Sequence, residues 1–233
     1  MNEPASHRLT PGPRRWRLRF GLRTLLIALT LAGLLFAWIT SAQRQREAVA
    51  MLHSSNPAAI VAYDYATDEA GNAKSWIIRR VGLDYGASPA RADIFYPTDA
   101  DMRHVARITS LRSLYLLRAI DLTDAGVETL AKLSHLKKLT IIEGDQLTDR
   151  ALATIGRLTQ LAALRLDVSQ HATDAGLAEL AKLKNLTDLR VCFRGDIRDY
   201  PGQHITRVGI EALRRALPRC QITIVSDLSL AAR

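Results

Sequence analysis

Leucines at positions 111, 136, 161 and 186 recur at intervals of 25, and each opens the same apolar and polar phrase: LRSLYL, LKKLTI, LAALRL, LTDLRV. Apolar residues at the fourth and sixth positions of each phrase lie two apart, the spacing of side chains on one face of an extended strand. The pattern predicts four short strands with Leu114/Leu116, Leu139/Ile141, Leu164/Leu166 and Leu189/Val191 pointing inward. A second phrase comes after each of the first three strands: LTDAGVETLAKL (122–133), LTDRALATIGRL (147–158) and ATDAGLAELAKL (172–183). Its apolar residues, such as Val127, Leu130 and Leu133, form one stripe of a short helix.

The start of each helix is written in the sequence. Thr123, Thr148 and Thr173 are placed to cap free N–H groups, and Asp124, Asp149 and Asp174 put negative charge at the helix N-terminus. No single strand-helix unit can bury both of its apolar faces alone, so the units are expected to stack into a parallel sheet with helices outside. The pattern extends at both ends. Pro97–Asp101 with Met102, Val105 and Ile108 repeats the helix phrase one unit earlier, behind a strand at Ala92–Tyr96. Thr206, Gly209, Ile210 and Leu213 recover it after an insertion of about eight residues between Phe193 and Ile205, and Ile222 and Ile224 supply a closing strand.

Residues 98–224 resemble leucine-rich repeats of the ribonuclease-inhibitor-like, cysteine-containing type, in which L-x-x-L-x-L precedes a TDAGL…L…L helix. The resemblance implies an α/β fold, a leucine-rich-repeat solenoid with a parallel sheet and outer helices, and a role in protein binding. Leu217-Pro218-Arg219-Cys220 resembles the closing phrase of this repeat type, which implies a packing role for Cys220. Two departures stand out. Ala119, Gly144, Ser169 and Arg194 occupy the ninth position, where the family often has Asn or Cys, so looser turns are expected. Ala172, after His171, replaces a core leucine. Taken whole, the chain resembles bacterial membrane-anchored leucine-rich-repeat proteins.

The membrane part of that resemblance has its own basis. Residues 24–42, TLLIALTLAGLLFAWITSA, contain no charge; as a helix these 19 residues reach about 28 Å, against a hydrocarbon core of about 30 Å. The net charge of +9 first suggests nucleic acid, yet residues 1–23 hold more than half of it, in Arg8, Arg14, Arg15, Arg17, Arg19 and Arg23 against Glu3. Arginines abutting an apolar span are a topology signal that keeps the arm in the cytoplasm and puts the chain beyond the span outside. A nucleic-acid partner is therefore not expected. A single-pass anchor is the expectation; the alternative is a signal peptide cleaved near Ala42, with secretion. The chain then divides into an arm 1–23, a transmembrane helix 24–42, a juxtamembrane helix and cap 43–90, repeats 91–225 and a tail 226–233. Within the cap, 43–53 continues as a helix with Ala48, Met51 and Leu52 on its apolar face until Asn56-Pro57 ends it. Residues 60–65 then alternate as a strand, Gly71-Asn72 turns the chain, and Trp76-Ile77-Ile78, Val81 and Leu83 supply further apolar surface. Tyr63, Tyr65 and Trp76 are read as cap core, with an aromatic recognition patch as the alternative.

Catalytic and metal signatures are absent from the sequence. The six histidines occur singly, without HExxH or an i,i+4 pair, and there is no GxSxG, GxxxxGK[ST] or GxGxxG motif. A non-enzymatic protein without cofactor or metal is expected. Cys192 and Cys220 fall five positions apart on neighbouring strands, about 16 Å, beyond the ~7 Å Cα limit for a disulfide, so two free thiols are expected. The outward strand positions make the candidate binding face: Ser113, Tyr115 and Leu117; Lys138, Thr140 and Ile142; Ala163, Arg165 and Asp167; Asp188, Arg190 and Cys192. The mixture suits a protein loop or peptide, with the 194–204 insertion as a further contact loop. Binding of glycan or wall polymer through the same repeats is the alternative. The sequence sets no oligomeric state.

Overall fold

The computed structural model describes residues 21–64, 88–169, 171–193 and 205–226. The arginine arm before residue 21, Tyr65, Trp76, Gly71-Asn72, Val81, Leu83, the 194–204 insertion and the tail after 226 lie outside the described residues. The chain divides into two compact units between Ile39 and Thr40.

Helix α1, Leu22–Ser55, begins in the first unit and ends in the second. It is one helix of 34 residues, running through the apolar stretch and on through residues 43–53. Its large apolar residues from Leu22 to Trp38 are 46–74% exposed, and by length and composition this is a helix able to cross a membrane.

The second unit is a mixed α/β structure around one seven-stranded sheet whose strands keep chain order: β1 Ile60–Asp64, β2 Ser88–Phe95, β3 Ser113–Leu117, β4 Lys138–Ile141, β5 Ala163–Val168, β6 Asp188–Phe193 and β7 Gln221–Ser226. β1 is antiparallel to β2, and every later pair is parallel. Between the parallel strands run α2 Asp99–Val105, α3 Asp124–Thr129, α4 Asp149–Ile155, α5 Asp174–Leu180 and α6 Arg207–Ala216. The strand register reproduces the 25-residue period, aligning Leu114, Leu139, Leu164 and Leu189 in one row and Leu116, Ile141, Leu166 and Val191 in the next. All eight are buried. Val127, Leu130 and Leu133, spaced by three, straddle α3 and the 3-10 turn Leu130–Lys132, whose three residues per turn keep the stripe on one side.

The helix starts are tied to one another. The Thr123 backbone N–H and hydroxyl both donate to the Asp99 carboxylate of the preceding unit, at 3.0 and 2.6 Å. Thr148 makes the same two bonds to Asp124, Thr173 to Asp149 and Thr206 to Asp174. Each hydroxyl also accepts a backbone N–H of its own helix. The aspartates therefore do more than favour their own helix N-termini: each holds the next unit's cap. The carboxylate fills the space beside the third residue after the threonine. A Cβ at Gly126, Gly176 or Gly209 would overlap the incoming aspartate, although Ala151 occupies the equivalent place beside Asp124.

At the first unit no aspartate from earlier in the chain bonds to the threonine cap among the described residues, and the same third position is Asp101. Its Oδ2 accepts the Thr98 backbone N–H and hydroxyl, as the aspartate of a previous unit does elsewhere. Its Oδ1 accepts from Ser55 at the end of α1, 2.6 Å away. Burial pushes the Asp101 carboxyl up, but hydrogen bonds from Ser55, Thr98 and Asn56 outweigh it and hold the carboxyl below its ordinary range.

The second half of α1 covers the start of the sheet with Ala48, Val49 and Leu52. Met51, expected on that face, is 41% exposed, because the buried stripe runs through Val49 instead; the Met51 sulfur lies 3.7 Å from the Arg107 guanidinium. The turns at the ninth positions are closed by backbone bonds, Leu122 N–H to Ala119, Leu147 N–H to Gly144 and Ala172 N–H to Ser169. They are not loose, and the Ser169 hydroxyl adds a tie to the Leu147 carbonyl.

The ladder of aspartates can be tested by removing one rung. Asp149→Ala strands the Thr173 N–H and hydroxyl and is expected to cost about 1.5–3 kcal/mol in urea unfolding, while Asp121→Ala, on an exposed side chain, stays within about 0.5 kcal/mol. Asp101 has a depressed carboxyl pKa, so its contribution is complete above the unfolded value near 3.9 and is lost as pH falls further. Stability measured against pH should drop below about pH 4, and the drop should be shallower in Asp101→Asn.

Candidate binding face

Side chains that point away from the helices alternate with the buried leucines, and the register gathers them into three rows. The first runs Arg91, Ser113, Lys138, Ala163, Asp188, Gln221; the second Asp93, Tyr115, Thr140, Arg165, Arg190, Thr223. The third holds Leu117, then Ile142 just past β4, then Asp167 and Cys192. All twelve outward positions read from the sequence thus lie on this one face.

The rows also show what sequence reasoning missed. β2 begins at Ser88 rather than near residue 92, which adds Arg91 to the face beside Asp93, a residue of the expected strand. Arg91 grips Asp93 through Nε and Nη2, both at 2.8 Å, and lays its guanidinium 4.3 Å from the centre of the Tyr115 ring. Tyr115 is therefore a covered aromatic rather than a free one. The signal was present in the spacing, since Arg91 stands 22 residues before Ser113, but the shorter first unit breaks the 25-residue count.

Tyr115, Lys138, Thr140, Arg165, Asp188 and Arg190 line a shallow depression of about 260 Å³ across β3–β6. Three of the six are cationic and one is anionic. Beside it, Asp167 is held by the Glu143 backbone N–H through Oδ2, while its Oδ1 and the Nε of Arg165 are buried with no hydrogen-bond partner among the described residues. At the strand ends Tyr96, Arg118 and Glu143 adopt left-handed backbone angles (φ 51, 56 and 60°), a conformation that costs a bulky residue about 1–3 kcal/mol. Arg118 donates to the Tyr96 hydroxyl at 2.7 Å along this rim.

The thiols of Cys192 and Cys220 are both free. Burial pushes the Cys192 thiol up, Asp167 pushes it further, and Arg165 opposes in part. Burial and Asp188 do the same to Cys220. No group of three or more His, Cys, Asp or Glu side chains is placed to hold a metal ion among the described residues.

No protein-family model matches the chain, and no curated protein does. Among solved structures it is similar to internalin C2 from Listeria monocytogenes, with a TM-score of 0.37 and 20% identity over 53% of this chain. The chain spans about half of that protein's length, 55%.

With raised pKa values, both thiols should be slow nucleophiles at neutral pH. Ellman's reagent on the native protein is expected to titrate two thiols more slowly than free glutathione, with the rate still climbing above pH 9. A disulfide detected by intact mass after purification without oxidant would contradict the register of β6 and β7.

Proposed function

We propose that the protein is anchored in a membrane by residues 24–42 and carries a leucine-rich-repeat solenoid on the extracytoplasmic side, where the open sheet face binds a protein or peptide. The observation that carries this reading is the registered, exposed face. Its central depression is built from a different set of side chains on each strand, β5 and β6 sharing only an arginine, and Arg165 and Asp167 offer buried hydrogen-bonding atoms that the described residues leave unused. A groove of four strands at ~4.8 Å spacing fits an extended peptide or a loop rather than a broad domain. Lys138, Arg165 and Arg190 around one Asp188 favour an acidic side chain in the depression. A sugar polymer would need an open aromatic platform, and the Arg91 guanidinium already lies over Tyr115.

The anchor reading is supported by α1, whose apolar stretch is exposed and long enough to span. Activity as an enzyme is not part of the reading.

A photoreactive residue replacing Thr140, at the centre of the depression, is expected to capture a discrete protein in cell membranes. The capture should be lost when Arg165 and Arg190 are both changed to Glu. Polymeric adducts would support the glycan alternative, and no adduct would leave the face without a ligand. The same preparation, analysed by mass spectrometry, should show an N-terminus upstream of the apolar run; a mature end at Gln43 would replace the anchor by a cleaved signal peptide.

A further inference from the structure

The edge of the second unit where strands begin carries a segregated charge. The turns 106–112, 131–137, 156–162, 181–187 and 214–220 together hold ten Lys or Arg residues and no Asp or Glu. All ten are exposed. The opposite edge is the reverse: the described turns 96–99, 118–124, 143–149 and 168–174 hold seven Asp or Glu and one Arg.

Helix dipoles account for part of this, since cations are favoured in the last turn of a helix and the effect fades beyond it. Six of the ten fall in this range: Arg107, Arg157 and Lys182 lie two residues past a helix end, Lys132 closes the 3-10 turn, and Arg214 and Arg215 lie in the last turn of α6. Arg112 lies seven residues past α2, Lys137 five past the 3-10 turn, and Lys184 and Arg219 four and three past their helices. These side chains stand at the tips of the turns, beyond the reach of the dipole. Two carboxylates near the edge are engaged locally, Glu179 with Lys182 at 2.5 Å and Glu211 with Arg215 at 3.9 Å, and Asp188 stands at the start of β6. Among the described residues, Lys137 donates to the neutral oxygen of Gln160 and Lys184 to the Ala216 carbonyl.

Within the second unit, Gln45 of α1 lies at this same edge. The Ser110 hydroxyl, in the first of the basic turns, donates to the Pro89 carbonyl at 2.6 Å and lies 3.2 Å from Gln45 Oε1, and Gln45 lies three positions after Ala42, the last residue of the apolar run. Five turns at ~4.8 Å spacing make a row about 19 Å long, with no Phe, Tyr or Trp in any of them on which a nucleic-acid base could stack.

We infer that this edge is a seat for anionic phospholipid headgroups, holding the sheet unit down on the bilayer in which residues 24–42 are anchored. The inference rests on the anchor reading, and it gives the strand-start turns a role distinct from the binding face. Each basic residue near an anionic surface contributes about 1 kcal/mol, and the attraction decays over a Debye length. It would also restrict how the peptide-binding face is presented, because one edge of the sheet is then fixed at the membrane.

The test uses the full chain in nanodiscs with a photoreactive residue replacing Thr159, an exposed position in the third basic turn. In discs of equal phosphatidylglycerol and phosphatidylcholine, lipid crosslinks should exceed those in pure phosphatidylcholine by about tenfold, one decade for each ~1.4 kcal/mol. The excess should vanish in molar salt, where the Debye length is about 3 Å, and in the triple variant Lys137→Glu, Lys184→Glu, Arg219→Glu, with folding checked by circular dichroism. The salt arm keeps the test valid should the variant fail to fold. Equal crosslinking in both lipids, or an excess that survives salt, overturns the inference. Duplex DNA bound by discs of pure phosphatidylcholine, and released by the triple variant, would assign the edge to nucleic acid and overturn it too. Should the chain prove not to be anchored, sedimentation of the free protein with phosphatidylglycerol vesicles tests the edge separately: binding supports it and no binding overturns it.

Discussion

The aspartate that closes one unit's helix start and caps the next is the constraint on which the rest of the second unit depends. The inward and outward alternation of a strand forbids a slip of one residue, but a slip of two keeps the apolar rows on the buried face and is resisted by packing alone. The two bonds from Thr N–H and hydroxyl to a single carboxylate do not slip, since both donors belong to one residue and both acceptors to another. They connect positions 24 residues apart in the regular units and 32 apart across the 194–204 insertion, with the same geometry. Across the insertion the parallel pairing of β6 with β7 continues, Leu189 beside Ile222.

The ladder also explains why one position carries Asp101, Gly126, Ala151, Gly176 and Gly209 in successive units. Where a carboxylate arrives from the previous unit, the third residue after the threonine must be small. At the first unit the bonds to the threonine cap come from a carboxylate of the helix itself, and Asp101 takes a further bond from Ser55. The first unit is thus finished by a side chain of its own plus the end of α1. At the other end Arg207 stands where Asp174 stands in its unit, so α6 presents no carboxylate onward. The threonine cap of α6 is made all the same, because it depends only on the aspartate before it.

How much of this is legible in the sequence depends on whether a feature repeats. The strand positions, the helix starts and the inward leucines recur at 25 and can be read from spacing alone, down to which residue faces the core. The threonine-aspartate pair could be recognised as a helix start, yet its second duty could not, because the partner lies 24 residues away and nothing local marks it. Unrepeated features were less accessible. Arg91 and Asp93 sit in a first unit of different length, so their place beside Tyr115 emerges only from the β2–β3 register. Met51 and Val49 are both apolar and two residues apart, and only packing against the sheet decides which is buried. The left-handed angles at Tyr96, Arg118 and Glu143 have no composition signal either, since none is Gly or Asn.

Repetition also separates what the fold demands from what it leaves open. Inward rows hold mainly Leu, Ile or Val, and the ladder holds Thr and Asp, because in each case the geometry admits little else. The outward rows occupy backbone positions just as regular, yet read Ser, Lys, Ala, Asp in one and Tyr, Thr, Arg, Arg in the next. A surface that merely tiled a short sheet would be satisfied by the same few residues in every unit. Placing Arg165 next to Arg190 is unfavourable for like charges directly opposite, and Asp167 Oδ1 is buried without a hydrogen-bond partner among the described residues. Asp167 still serves the sheet by holding the Glu143 backbone N–H through Oδ2, so it is the arginine pair that the demands of the fold leave unexplained.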